Sequence, residues 1–380
     1  MSAPSIAHRG KAALKPAMAA AVFPFVVSRV IVAISVELAR YLVIHLHITN
    51  AKAVGASHAS LLAWDGAWYR KIAANGYGGL VHGALRFFPL LPVTARAFGA
   101  IPGVKAGTAV VLVANLAAFT AFAVLYHLVV VELRDEAVAR RAVWVLALAP
   151  PAFVLAMGYA ESLLLLTTIL AFLGLRQRNY PLAIAAGFLA GLCRPVGVLL
   201  VVPAAIEAMR NWHAVSNRER TYGLGAVLAA PIGAAAYLGW VQVTLGDFLL
   251  PLREQMSPNH RGRFADPFVT LARDANDLVH GVHLGTAQHL GWAVLLVLLA
   301  LFALWRLPSC YGWYAVATLV VALTAQNLDS LERYGLGCFP FAIAAALLLG
   351  GRGPRWAALA LTGCLLTTYG VLAFLGLYVP

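Results

Sequence analysis

The 380-residue sequence predicts an all-α polytopic membrane protein, and three observations predict it. Hydrophobic residues make up 62% of the chain and charged residues 11%, with a mean hydropathy of +0.81, far too apolar to fold in water around one core. Apolar runs of the roughly 20 residues that a crossing needs recur from near residue 17 to the C-terminus. No long polar interruption divides them, so residues 1–380 read as one transmembrane domain. The first run lies far from any small-residue cleavage site and is expected to be a retained anchor.

The clear spans are 17–44, 106–131, 222–244, 288–305, 310–327, 335–350 and 356–378. The stretch from Phe87 to Ala100 is short and opens FFPLLP, whose prolines suit a helix start or an irregular segment better than a helix interior. Between Ala142 and Ala208, Pro150, Pro151, Pro181, Pro195 and Pro203 cut a mostly apolar run into short pieces. Broken helices at membrane depth are tolerated only where the freed backbone meets protein or a wet cavity. The expectation is a bundle of about ten crossings with a cavity near those breaks.

The chain carries 28 basic and 15 acidic residues, a net charge of +13, and only five of the basic residues are lysine. No lysine-rich tract or basic soluble module is present, so a nucleic-acid partner has no support and anionic membrane lipid explains the charge better. Cys193, Cys310, Cys338 and Cys364 lie in or beside apolar spans without zinc-site spacing. His82, His260, His280, His283 and His289 show no metal-binding spacing either, so no metal site is expected, although acids near a phosphate can recruit a divalent cation.

Arg9, Lys11, Lys15, Arg210, Arg218, Arg220, Arg352 and Arg355 fall in loops that the positive-inside rule puts in the cytoplasm. Residues 45–86, 245–287 and 328–334 are then outer loops, which brings Asp65, Asp247 and Arg333 to one side. Arg134, Arg140 and Arg141 fit this count poorly.

The first outer loop holds WDGAWYRKIAANGY, from Trp64 to Tyr77. As a helix it places Trp64, Asp65, Trp68, Tyr69, Ile72 and Gly76 on one face and Arg70 nearly opposite. An unpaired carboxylate on an apolar face costs several kcal/mol, so Asp65 needs a partner, a raised pKa or a chemical task. The plainer alternative is an interfacial helix that Asp65 caps and aromatics anchor. Arg194, between Cys193 and Pro195, is an intramembrane cation and pairs with Glu161 or serves function.

These segments resemble a known family. WDGAWYRKIAANGY with FFPLLP, then GYAESLLLL from Gly158, CRPVG from Cys193, GDF from Gly246 and ERYGLGCFPF from Glu332 are similar, in family order, to the PIG-V-type mannosyltransferases, which are GT-C glycosyltransferases. The resemblance implies a GT-C bundle that transfers mannose from a polyprenyl-phosphate donor on the non-cytoplasmic face of the cell membrane. It implies a catalytic Asp in the first outer loop, hence Asp65. The family pattern often has His before the first Trp, Ser-His where this chain has Gly66 and Ala67, and a Trp soon after the Gln255 region. These departures turn the expected acceptor from the eukaryotic GPI anchor to the lipid, glycan or protein acceptor of a bacterial relative.

A lipid-phosphate sugar brings its own leaving group, so one base and one or two arginines suffice without a cofactor. Asp65 is the expected base, acting with inversion. Arg333 with Tyr334, Arg86 and Arg194 are candidates for the donor phosphate. Each also has a plainer role: an ion pair with Glu332 or Asp329 for Arg333, an interfacial anchor for Arg86, and a structural pair with Glu161 for Arg194. Trp64, Trp68, Tyr69, Tyr159, Glu161 and Asp247 are candidate substrate contacts, against a helix-dipole role for Glu161 and an ordinary Gly-Asp turn for Asp247. The competing classes are a lipid transporter or flippase, and a polymerase or ligase of lipid-linked glycans.

Overall fold

The computed structural model describes residues 6–257, 260–282 and 289–378. The first half runs through α1 (Ile6–His45), α2 (Ala51–Ala59), α3 (Asp65–Asn75), α4 (Leu90–Phe98), α5 (Ala106–Leu133), α6 (Glu136–Leu148), α7 (Glu161–Arg176) and α8 (Tyr180–Cys193). The second half holds α9 (Val201–Asn211), α10 (Asn217–Leu245), α11 (Leu250–Gln255), α12 (Pro267–His280), α13 (His289–Arg306), α14 (Ser309–Leu323), α15 (Leu331–Gly337), α16 (Phe339–Leu348) and α17 (Arg352–Phe374). Helices carry the whole architecture of the described residues, where β-pairing is limited to an isolated bridge between Phe264 and Ala325.

Five of these helices are long and apolar enough to cross a membrane: α1 from Lys15, α5, α10, α13 and α17 from Arg355. α15 and α16 together qualify as a sixth, bent by 80°. The bend falls at Cys338, whose backbone leaves the helical region, and Pro340 in the next turn has no N–H to continue the ladder. Shorter helices complete the bundle: α6 continued by the 3-10 helix Pro150–Leu155, α7, α8, the 3-10 helix Pro195–Leu200 continued by α9, and α14. The result is a polytopic membrane protein of the kind composition demands.

Local signals set the long boundaries. Ser216 and Glu219 form a reciprocal capping box at the start of α10, and Gly246 at φ +77 ends that helix. α8 and α10 pack at backbone distance because a Cβ on Gly191 would lie 2.0 Å from the Ala230 carbonyl oxygen. Without a hydrophobic drive between helices in lipid, such small-residue contacts supply the association.

The region from residue 87 to 210 corrects the loop-charge count. FFPLLP leads not into a crossing but into the nine-residue α4, which packs against α3 and α5, and Arg96 Nε donates to the Ala73 carbonyl at 3.0 Å. α5 is therefore the second traverse. It delivers Arg134, Arg140 and Arg141 to the end of the bundle where Arg355 sits, since Arg140, Arg141 and Arg355 line one crevice. The cluster that fitted poorly thus joins the basic loops at 208–221 and 349–355, and α3, α11 and α12 gather at the opposite end.

Candidate active site

The site is built at that opposite end, around the start of α3. Trp64 adopts φ 55, a turn that makes Asp65 the first residue of the helix, and its indole N–H donates to the Ala373 carbonyl of α17 at 2.9 Å. Gly158 N–H donates to the Leu61 carbonyl at 2.8 Å, docking the loop before α7 against the same turn. Tyr159 is thereby placed with its hydroxyl 3.2 Å from the backbone N–H of Asp65, from which it accepts. Glu161 follows as the first residue of α7 and is buried.

Three arginines reach these acids from separate elements. Arg86 ends the 3-10 helix His82–Arg86, which is held by hydroxyls on both sides: Tyr237 donates to Leu85 O at 2.7 Å and Tyr77 to Phe87 O at 2.5 Å. Arg194 sits where α8 must stop, because the residue before Pro195 is driven into extended backbone, φ −158 and ψ 153. Arg333 lies in α15, with Nη2 donating to Ser330 Oγ at 2.8 Å. Its Nη1 donates to Asp65 Oδ2 at 2.8 Å and lies 3.4 Å from Glu161 Oε1, while Arg194 Nη1 pairs with the same Glu161 oxygen. Arg86 Nη2 stands 3.9 Å from Asp65 Oδ1.

The cluster holds three guanidinium groups against two carboxylates, and not all of their atoms are used. Among the described residues, Arg86 Nε, Arg333 Nε and Glu161 Oε2 are buried with no hydrogen-bond partner. Leaving such an atom unpaired costs about 1–3 kcal/mol, so a cluster that carries several is poorly explained as scaffolding. A cavity of about 420 Å³ opens beside it, walled by Asp65, Tyr69, Arg86, Arg194, Arg333 and Tyr334. Burial pushes the Asp65 carboxyl up, but Arg333 and Arg86 outweigh it and hold the group below the usual carboxylate range, so Asp65 is ionised at neutral pH. Burial raises the Tyr69 phenol well above its ordinary value, leaving it a neutral donor.

Asp65, Tyr69, Tyr159, Glu161, Arg86, Arg194, Arg333 and Tyr334 are thus brought together. Trp64 and Trp68 are not on the cavity wall. Trp64 ties α3 to α17, and Trp68 stacks on Phe87 with ring centroids 5.9 Å apart. Asp247 also stands away from the cavity, paired with Arg253 and accepting from Leu249 N at 3.1 Å, so it makes the Gly-Asp turn. Arg333 pairs with neither Glu332 nor Asp329; those two face His289 instead, with Nδ1 2.5 Å from Glu332 Oε1 and Nε2 3.7 Å from Asp329 Oδ1. No group of three or more metal-ligating side chains occurs among the described residues, outside which His283 falls.

Arg261 is a site residue that sequence reasoning did not single out. It lies on the cavity wall, stacks 4.5 Å over the Tyr334 ring and donates to that hydroxyl at 2.7 Å. The available signal was its place among four arginines in 249–287, within the expected outer loop 245–287.

The fold is similar to ArnT. Two solved structures of ArnT from Cupriavidus metallidurans each match over 77% of this chain, one bound to undecaprenyl phosphate (TM-score 0.49, 17% identity) and one in the apo state (TM-score 0.47, 19% identity). The match takes in 56% of the length of each ArnT chain. No protein-family model and no curated protein matches the sequence.

Proposed function

We propose that this chain is an integral membrane glycosyltransferase of the GT-C class. It moves a mannosyl residue from a polyprenyl-phosphate donor to a lipid, glycolipid, glycan or protein acceptor on the non-cytoplasmic face of a bacterial cell membrane. The observation that carries the reading is Asp65: an ionised carboxylate on the wall of a 420 Å³ cavity, flanked by Arg333 at 2.8 Å and Arg86 at 3.9 Å. A base beside a cation-rich pocket is what displacement of a phosphate by a hydroxyl needs. The PIG-V-like motif order supports mannose as the sugar.

The acceptor oxygen attacks the anomeric carbon while its proton passes to Asp65. The bond from that carbon to the phosphate oxygen breaks, and its electron pair leaves with the phosphate. Attack from the face opposite the leaving group inverts the anomeric configuration. Arg333, Arg194 and Arg86 grip the phosphate oxygens, a geometry that planar guanidinium groups meet bidentately. Donor phosphate also competes with Asp65 for Arg333. As the guanidinium turns to the phosphate, the buried carboxylate loses the partner that depresses its pKa and becomes a stronger base. The three arginines supply the charge neutralisation that a divalent cation gives elsewhere, so this scheme requires no metal.

The test is transfer from labelled polyprenyl-phosphate mannose in membranes containing the protein. The reading predicts that label leaves the carrier, that the product has inverted configuration, and that EDTA leaves the rate unchanged. Label that stays on the carrier removes the glycosyltransferase reading; a retained configuration removes Asp65 as a base acting on the acceptor.

A further inference from the structure

The far end of the bundle carries a second cation-lined cavity that the transfer reaction does not use. A crevice of about 210 Å³ opens between α6 and the junction of α16 with α17, lined by Arg140, Arg141, Arg355, Trp144, Trp356 and Leu349. We infer that this crevice binds the phosphate headgroup of an anionic glycerophospholipid, with the upper acyl chains against its apolar wall.

The charges in the crevice are not equivalent. Arg140 is spoken for by Glu136, one turn earlier on α6, at 2.9 Å. The other acid there, Asp135, caps α6 by accepting from Ala137 N and Val138 N. Among the described residues Arg141 bonds through its Nε, which donates to the Ala346 carbonyl at the end of α16 at 2.9 Å and leaves the rest of the guanidinium on the crevice wall. Arg355 stacks on Trp356, 5.2 Å from the ring centroid. Neither Arg141 nor Arg355 has a carboxylate partner among the described residues. Two unneutralised cations facing one cavity repel each other, and an anion between them relieves that repulsion.

The rest of the wall specifies a lipid rather than a free anion. Trp144, Val145, Leu349 and Leu359 make most of the lining apolar, and the exposed Trp356 lies at its rim. Tryptophan at the level of headgroups with arginines above an apolar floor matches a phospholipid, polar end and acyl end together. Inorganic phosphate would engage the guanidinium groups and leave the apolar floor unused.

The experiment is lipid retention by native mass spectrometry of the full-length protein, given equal mole fractions of phosphatidylglycerol and phosphatidylcholine. Phosphatidylglycerol is expected to be retained several-fold over phosphatidylcholine. Each lost cation is expected to weaken retention about fivefold, from the roughly 1 kcal/mol a basic residue contributes at an anionic surface, so Arg141→Gln with Arg355→Gln lowers it on the order of 25-fold. Arg140→Gln, whose cation Glu136 already neutralises, leaves retention within about twofold. Because Arg141 ties α6 to α16, Arg355→Gln alone supplies the measurement if the double variant unfolds. Equal retention of both lipids, or unchanged retention in the Arg355→Gln variant, overturns the inference. Displacement of the lipid by millimolar glycerol phosphate also overturns it, since that marks a site for a free anion.

Discussion

The two ends of the bundle each bury an ion network, and the contrast between them separates scaffolding from chemistry. At the end that carries the α5–α6 turn, Arg176 grips Glu132 with Nε at 2.6 Å and Nη2 at 2.7 Å, and reaches Glu207 at 2.9 Å. Arg210 takes the second oxygen of Glu207 at 2.7 Å and the Tyr311 hydroxyl donates to Glu132 at 3.1 Å. Arg176 and Arg210 meet Glu132 and Glu207 there, and among the described residues none of these four side chains has a buried unpaired atom. At the end that carries the start of α3, three arginines surround Asp65 and Glu161, several buried atoms lack partners, and the cluster borders a cavity. A saturated, balanced network fastens α5, α7, α9 and α14 together; an unbalanced one beside open volume is suited to an anionic substrate.

The sharpest way to break this comparison is to exchange its consequences. Arg333→Gln should lower transfer by about 10²–10³-fold, the scale of removing one oriented donor to a developing negative charge, while the protein stays folded. Glu132→Gln should do the reverse: it leaves Arg176 short of a partner and costs about 3–5 kcal/mol of stability by denaturant titration, with near-normal turnover in the folded fraction. If Arg333→Gln instead unfolds the protein and keeps its turnover per folded molecule, the Asp65 cluster is scaffolding too.

The pH dependence sharpens the role of the Asp65 cluster. Arg333 and Arg86 hold Asp65 below the usual carboxylate range, so the base is ionised in the wild type down to acid pH. The ion pair therefore contributes stability above the ordinary carboxylate pKa, and that contribution is lost as pH falls through the depressed folded value. Removing Arg333 leaves burial as the stronger influence and moves the acidic limb of the rate profile to higher pH. A profile unchanged in Arg333→Gln would show that Asp65 does not titrate in the rate-determining step. The smallest effect belongs to Asp247→Asn. Its carboxylate pairs with the exposed Arg253, so less than about 0.5 kcal/mol in either stability or transition-state binding is expected.

Much of the site around Asp65 was legible in the sequence because its residues are improbable where they stand. An aspartate among aromatics, a glutamate opening an apolar run and an arginine inside a broken span each conflict with their surroundings, and the structure joins all three in one ion cluster through Arg333. The helix-face argument also found the α3 side that packs inward, since Tyr69 and Ile72 are buried and Arg70 is exposed. It extended that face one residue too far at each end, because Trp64 at φ 55 and Gly76 at φ 75 lie outside the helix.

What could not be read depends on tertiary placement. The helices between 130 and 210 are too short for a length rule to recognise, and the nine-residue α4 cannot be told by hydropathy from part of a crossing. Arg261 gains its position only because the loop after α11 folds back onto α14 and α15, where Arg261 Nη2 donates to the Val321 carbonyl at 2.8 Å. The partners of Glu332 and Asp329 were misjudged for a related reason. Sequence adjacency favoured Arg333, whereas helical geometry turns Glu332 away from it to His289.

The most direct test of the central claim is the transfer rate of Asp65→Asn with labelled polyprenyl-phosphate mannose, measured beside wild type at equal amounts of folded protein. Asparagine keeps the shape and a hydrogen-bond acceptor for Arg333 but cannot take a proton. The account predicts a loss of about 10²–10⁴-fold with donor binding largely retained. Turnover at the wild-type rate would contradict it, and Asp65 would then be a structural partner of Arg333 and nothing more.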